Sequence, residues 1–312
     1  MLKGMKGVNH IGMGVKNLPA MKQFFGTTLG MTETYLEFPE VWNPMVDVFR
    51  TSLHKFAGTM LYPPAGGIVV ELIEMSLPHP RPIRKIKRYG DIGVNKITLA
   101  VSDVGKFYGD YQDRITFLSE PRSTKLPGWG GGRGEYTFVY GRDPEGNLLE
   151  FISDPATEIQ ETFGGARWLG VAVTDLERSV AFYQSVGFDA VVVKPHEAFS
   201  GLVDEAAGAK ETAVRSCLLA NSRGGGMLEV YESVKPRGRS MPFNTMWGDF
   251  GYFEVCMETD DFHGAAQETR EKGMDHLHSP AIAFDMEDRE FWFEYVQDPD
   301  GIVVEIIGVV EK

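Results

Sequence analysis

The sequence predicts an α+β fold of four βαβββ units paired into two cup-shaped mixed-sheet domains. Three observations lead there. A short phrase, Gly-x-x-x-Glu, occurs four times, closing on Glu71, Glu150, Glu229 and Glu305 at spacings of 79, 79 and 76 residues. Self-similarity at a near-constant spacing marks an internal repeat. Each copy is preceded by an apolar run that leads into a polar helix start, and alternating stretches lie between that helix and the closing glutamate.

The most complete copy of the phrase runs from Arg142 to Ile152. Its Asp143-Pro144 followed by Gly146 is a turn signal, because proline presets φ, aspartate can bond nearby backbone and glycine accepts positive φ. The apolar run after it is too short for a helix and reads as a strand. Glu150 sits there among Leu148, Leu149, Phe151 and Ile152, where a carboxylate is costly unless it is paired or bound to a metal. Asp298-Pro299 and Gly301 repeat the turn before Glu305, whereas the copies ending at Glu71 and Glu229 lack the Asp-Pro.

The opening strands of the four units read as Gly7–Val15, Gly93–Val101, Arg167–Val173 and Gly251–Glu258. They lead into Lys16-Asn17, Ser102-Asp103, Thr174-Asp175 and Thr259-Asp260. Seven residues before Asn17, Asp103, Asp175 and Asp260 stand His10, Lys96, Trp168 and Phe253. Thr174 and Glu177 have capping-box spacing, and Leu176, Val180, Tyr183 and Val186 form one apolar helical face before a stop at Gly187. The first unit repeats this with Leu18, Phe25 and Leu29 before Gly30. The second helix reads as Val104 to Asp113, and the fourth starts at Asp260-Asp261 and ends near Gly273. Glu135–Tyr140 and Glu290–Val296 alternate as strands do.

One such unit leaves the face of a curled half-sheet uncovered, and two can close a cup. Consecutive units are therefore expected to pair, giving domains at 1–157 and 158–312 with the boundary in the polar stretch Ser153–Gly165. The 312 residues are 43% hydrophobic and 24% charged, an ordinary composition for a chain with large cores. The formal net charge of −13 argues against nucleic acid and anionic membrane as partners. No apolar run is long enough for a membrane span, and the first residues lack the apolar core of a signal peptide, so a cytoplasmic protein is expected. Cys217 and Cys256 have no zinc or disulfide spacing and read as buried core thiols.

With these motifs the chain resembles the vicinal oxygen chelate superfamily, which includes glyoxalase I, methylmalonyl-CoA epimerase, fosfomycin and bleomycin resistance proteins and the type I extradiol dioxygenases. The resemblance covers nearly the whole chain. It implies a glyoxalase-like fold in which a cup binds a divalent metal through the first and last strands of its two units, in the pattern His, Glu, His, Glu. Carried over, the N-terminal cup offers His10, Glu71, Lys96 and Glu150, with His10, Glu71 and Glu150 as metal ligands. Lys96 departs from the pattern, since a protonated ammonium cannot ligate. The C-terminal cup offers Trp168, Glu229, Phe253 and Glu305, and its two aromatics argue against a metal there; Glu229 and Glu305 read as relics of the repeat.

The residues by themselves support a more modest reading, in which His10 is either a hydrogen-bonded core residue or a ligand. A histidine with two carboxylates suits Zn²⁺, Fe²⁺, Mn²⁺, Co²⁺ or Ni²⁺, and a cup without any metal is an equal reading. The Lys96 ammonium can replace the metal between Glu71 and Glu150, act beside a metal as a catalytic base with Glu150, or snorkel out. The resulting expectation is a metal-assisted lyase or isomerase of the glyoxalase type, acting on a small oxygenated substrate. The alternative is a metal-free small-molecule binder of the bleomycin-resistance type, and the third reading is an extradiol dioxygenase. A small-molecule ligand is expected in each case, and a homodimer is compatible with all three. The basic loop Arg81–Arg88 reads as a solvated linker or an anion grip, and the glycine-rich loop 127–134 with Trp129 as a lid or a hairpin tip.

Overall fold

The structure, a computed structural model, describes residues 1–38, 53–127, 135–153, 159, 162–198 and 201–312. Trp129 with nearly all of its loop, and most of the expected domain boundary, lie outside the described residues. The first unit comprises β1 (Met5–Gly14), a helix at Leu18–Gln23 that continues as a π-helical turn, β2 (Glu33–Phe38), β3 (Lys55–Tyr62) and β4 (Val69–Leu77). The second comprises β5 (Gly93–Val101), a helix at Val104–Tyr111, β6 (Thr116–Phe117), β7 (Arg122–Lys125), β8 (Glu135–Arg142) and β9 (Leu148–Ser153). In the third are β10 (Phe163–Val173), a helix at Leu176–Val186, β11 (Ala190–Ala198), a short helix at Asp204–Ala207, β12 (Ala213–Ala220) and β13 (Met227–Lys235). In the fourth are β14 (Gly251–Thr259), a helix at Phe262–Glu271, β15 (Asp275–His276), β16 (Ala281–Asp285), β17 (Arg289–Gln297) and β18 (Val303–Glu311).

Local chemistry sets these boundaries. Asn17, Asp103, Asp175 and Asp261 cap the four long helices, each side chain accepting a hydrogen bond from the backbone N–H three residues on. The third helix is thus capped by Asp175 and not by Thr174, whose hydroxyl bonds Asp300 instead. The Asp-Pro turns form as their sequence demands: Asp143 Oδ1 accepts from the N–H groups of Glu145 and Asn147, and Asp298 Oδ1 from those of Asp300 and Ile302.

The units pair in an order that differs from the expected one. One nine-stranded sheet runs β15-β17-β18-β14-β1-β4-β3-β2, with β16 also paired to β17, joining the first unit to the fourth. The other nine-stranded sheet runs β11-β12-β13-β10-β5-β9-β8-β6, with β7 also paired to β8, joining the second to the third. The pairing of consecutive units inside 1–157 and 158–312 is corrected accordingly, because each sheet takes one unit from each half of the chain. The joints are antiparallel, β1 with β14 and β5 with β10, and each is flanked by parallel neighbours. The chain leaves the first sheet through residues 78–92 and returns through 236–250, and these two crossings bind each other. Arg81 pairs with Asp249 at 2.8 Å and Arg239 with Asp91 at 2.6 Å; Arg84 donates to the carbonyls of Arg239 and Ser240. The basic loop is thereby a strut between crossings, with Arg81, Arg84 and Lys87 turned to internal partners and Lys85 and Arg88 exposed.

One large apolar cluster holds Ile11, Met13, Ile97, Leu99, Leu169, Val171, Val255 and Met257 from the central strands of both sheets, with Met21, Phe107, Tyr183 and Phe262 from the helices. The opposite faces of the sheets form the two cups and carry separate clusters. No helix among the described residues is long and apolar enough to cross a membrane.

This topology can be tested by cutting the chain. A fragment of residues 1–157 would leave β1 and β5 without their antiparallel partners, as exposed edges in mid-sheet. It is expected to fail to unfold cooperatively as a monomer, and to form a one-to-one complex with 158–312 when co-expressed, measured by size-exclusion chromatography with light scattering.

Candidate metal centre

In the first cup, built by the first and fourth units, register decides which side chains meet. Gly12 on β1 lies opposite both Glu71 on β4 and Glu254 on β14. One row away, His10 lies opposite Cys256, which in turn lies opposite Glu305 on β18. Gly12 is the space-maker, since a methyl group there would sit 2.5 Å from Glu254 Oε1 and 2.3 Å from the Phe253 ring. His10, Glu71, Glu254, Cys256 and Glu305 are all buried.

The His10 ring is oriented from behind by Asn9, whose Oδ1 is 2.9 Å from Nδ1. Its Nε2 faces inward, 3.1 Å from Glu305 Oε2 and 4.0 Å from Glu254 Oε1. Ligand atoms of His10, Glu71 and Glu254 lie within 4.8 Å of one another, as do those of His10, Cys256 and Glu305. Three buried carboxyls therefore converge on one imidazole, which can supply at most one compensating charge. Oε2 of Glu71 and both oxygens of Glu254 are buried without a conventional hydrogen bond, an expensive condition for a carboxylate.

The protonation equilibria register this crowding. Burial raises the Glu71 pKa to about 7, with His10 opposing and Glu305 adding to the rise. Burial, then the charges of Glu305 and Glu71, push Glu254 well above the usual carboxyl range. Burial works to lower His10, but its bond to Glu305 and the charges of Glu305 and Glu71 outweigh it and the net shift is upward. A divalent cation suits this donor set: it would satisfy the orphaned oxygens and offset the surplus negative charge. Above the donors opens a cavity of about 470 Å³ with His10, Glu71 and Glu305 in its lining.

The second cup, built by the second and third units, uses the same frame with other residues. Gly170 lies opposite both Lys96 and Glu229, and Trp168 lies opposite Thr98, which lies opposite Glu150. Lys96 is 0% exposed, and its ammonium bridges Glu150 and Glu229, the latter at 2.7 Å. Every carboxylate here has further donors. Thr98 and Tyr140 donate to Glu150 at 2.7 and 2.8 Å, and Ser216 to Glu229 at 2.7 Å. The rings of Tyr140, Tyr89 and Tyr231 stand 5.5, 5.9 and 6.0 Å from the ammonium. Gly170 again makes the room, since a methyl group there would lie 2.5 Å from Lys96 Cγ. Only about 10 Å³ of free space remains beside Trp168 and Glu229.

The profile of the Glyoxalase/Bleomycin resistance protein/Dioxygenase superfamily matches residues 7–151 and again 165–306. The chain belongs to that superfamily. Solved structures share the fold at low identity. A mutant form of glyoxalase I from Zea mays is 17% identical over 97% of this chain and 92% of its own, with a TM-score of 0.64. The Zea mays glyoxalase I structure itself is 16% identical over the same shares, with a TM-score of 0.61. A candidate dioxygenase from Bacillus subtilis is 12% identical over 98% of this chain and 86% of its own, at 0.55. No curated protein sequence matches the chain.

Within the superfamily frame several expected site residues change partners. His10 and Glu71 share a cup as expected, but Glu150 does not join them: it lies in the other sheet, paired with Lys96. The expected set His10, Glu71, Lys96 and Glu150 is therefore divided between two cups, because the units cross. Glu305, read as a relic, instead faces His10. Glu229, read likewise, is a partner of Lys96. Phe253 is not the counterpart of Lys96; Glu254 is. The capping carboxylate of the fourth helix is Asp261, and seven residues before it stands Glu254, whereas Asp260 pairs with Lys6 and Arg223. Cys256, expected as an ordinary core thiol, is buried beside the histidine.

Lys96→Met would leave Glu150 and Glu229 buried without their cation, and a loss of roughly 3–5 kcal/mol is expected in urea denaturation. The same substitution should leave metal uptake by the first cup unchanged, since the two centres share no ligand.

Proposed function

We propose that the first cup binds one divalent transition metal through His10, Glu71, Glu254 and Glu305, and that the protein catalyses a glyoxalase-type isomerisation or lyase reaction on a small oxygenated substrate. The carrying observation is the convergence of His10 with three buried carboxyls, of which Glu71 and Glu254 face each other with oxygens lacking a hydrogen bond of ordinary geometry, beside a cavity large enough for a ligand. A bound ion would act as a Lewis acid toward a substrate oxygen. The chain's own part is positional and basic. Asn9 holds the imidazole with Nε2 inward. A Glu71 oxygen, which lines the cavity, would receive a proton from carbon beside the substrate oxygen and return it at the neighbouring position. The apolar walls keep water from competing. In this reading Lys96 and Glu150, expected from the sequence as catalytic groups, form the structural ion pair of the second cup.

The aromatic cavity also favours a second reading, a metal-free binder of hydrophobic small molecules. Metal content separates the two. Elemental analysis is expected to find one transition-metal ion per chain, and His10→Ala to abolish its retention; wild-type protein that takes up no metal from solution would support the binder.

Proton transfer itself is checked by solvent exchange. In deuterium oxide the metal-loaded protein should incorporate deuterium at the carbon-bound hydrogens of an α-hydroxyketone such as hydroxyacetone, followed by NMR. Glu71→Gln should slow this by about 10²–10⁴-fold. Equal rates in the metal-loaded variant would remove Glu71 from the role of base.

The charge crowding has a pH signature. A carboxyl whose folded pKa lies above its unfolded value holds more protons folded than unfolded, so stability falls as pH rises through that window. For Glu71 the window runs from the ordinary value of 4.5 to about 7. Without metal, wild-type stability is expected to fall across it more steeply than that of Glu71→Gln, and saturating Zn²⁺ should remove the difference. Denaturation midpoints measured at several pH values provide the check.

A further inference from the structure

The walls of the first cup carry information about its ligand, on the reading of this cup as the active one. Tyr35 and Phe38 from the first unit and Phe291, Phe293 and Tyr295 from the fourth line the cavity, with Trp247 beside Glu71. Ring faces and edges on several sides favour a flat ring between them. Apart from His10, the charged side chains lining it are acidic: Glu71 and Glu305 with the donors, and Glu258 and Asp285 elsewhere on its wall. Among the described residues no lysine or arginine lines the cavity. Lys6 and Lys312 pair with Glu258 and Asp285 without lining it, and Arg81, Arg84 and Arg239 are held in the strut between the crossings. Away from the donor floor, a carboxylate, phosphate or sulfonate held between the described walls would lose its water and meet no lysine or arginine there.

We propose that the cup takes an uncharged ring compound, with its polar oxygen end toward His10 and the glutamates and its ring between the aromatic walls, and that it excludes substrates carrying carboxylate, phosphate or sulfonate groups. This assigns the protein to chemistry on neutral aromatic or alicyclic molecules, and away from peptide-thiol adducts and coenzyme thioesters. The cavity volume of about 470 Å³ falls in the range of pockets that enclose such molecules.

Two probes that differ by one charge test this: 2,3-dihydroxynaphthalene and its 6-sulfonate, titrated calorimetrically into the full-length protein, once after chelator treatment and once loaded with Zn²⁺. The neutral diol is expected to bind at least about tenfold more tightly than the sulfonate in both states. Phe293→Ala should weaken the diol, and Met60→Lys, which places a cation on the wall, should narrow or reverse the preference with the fold checked by circular dichroism. Equal or tighter binding of the sulfonate by wild-type protein overturns the proposal, and so does binding of neither probe in both states. Because the comparison includes chelated protein, a failure of the metal reading appears separately, as the absence of Zn²⁺ uptake with the charge preference intact.

Discussion

The antiparallel joints of β1 with β14 and of β5 with β10 are the constraint on which everything else in this molecule depends. They bring the first unit to the fourth and the second to the third, and so decide which side chains share a cup. The parallel neighbours β4 and β18 of one joint, and β13 and β9 of the other, then deliver the closing glutamates from either side. The two crossings that make this pairing possible are stabilised by Arg81–Asp249 and Arg239–Asp91, ion pairs whose carboxylates are buried. Such partly shielded pairs matter more than fully exposed ones, because solvent and salt screen them less.

Given that frame, the two cups differ at three pairs of equivalent positions, His10 and Trp168, Cys256 and Thr98, and Glu254 and Lys96, of which the last sets the charge balance. Opposite the central glycine of the second cup stands Lys96, and opposite that of the first stands Glu254. An ammonium in the one case closes the charge balance from within; a carboxyl in the other adds to an imbalance that His10 alone cannot offset. Packing follows the charge. Among the described residues, tyrosines and hydroxyl donors surround Lys96, and the pocket beside Trp168 and Glu229 holds about 10 Å³, whereas His10 lines a cavity of about 470 Å³. The centre that lacks its own cation is thus also the one with room for a ligand.

Much of this was legible in the sequence, for reasons that differ by feature. The fourfold repeat, the Asp-Pro turns at Asp143 and Asp298 and the strand-to-helix order are local, fixed by dihedral preferences and caps within a few residues, and all of them appear in the structure. The opening strand of the second unit spans Gly93–Val101 as expected. The pairing of units was not legible, because either pairing covers the same apolar faces and the choice rests on long crossings whose contacts join residues far apart in sequence. Glu254 was within reach. Asp260 and Asp261 stand side by side, and the period that gives His10, Lys96 and Trp168 points to Glu254 once Asp261 is taken as the cap. The place of Cys256 opposite His10 depends on the register of a bulged strand pair, which no local signal announces.

The crossing also orders events during synthesis. The residues that enclose the second cup lie between Tyr89 and Lys235, whereas the first cup also needs β14 and β18, which follow them in the chain. The first unit, although translated earliest, must wait for the last unit before β1 has its antiparallel neighbour and His10 meets Glu254 and Glu305. The half that can close early is the one carrying its counter-ion as a covalent side chain, so its completion is independent of cellular metal supply. The half in which three carboxyls face one imidazole cannot close until β14 and β18 have been made.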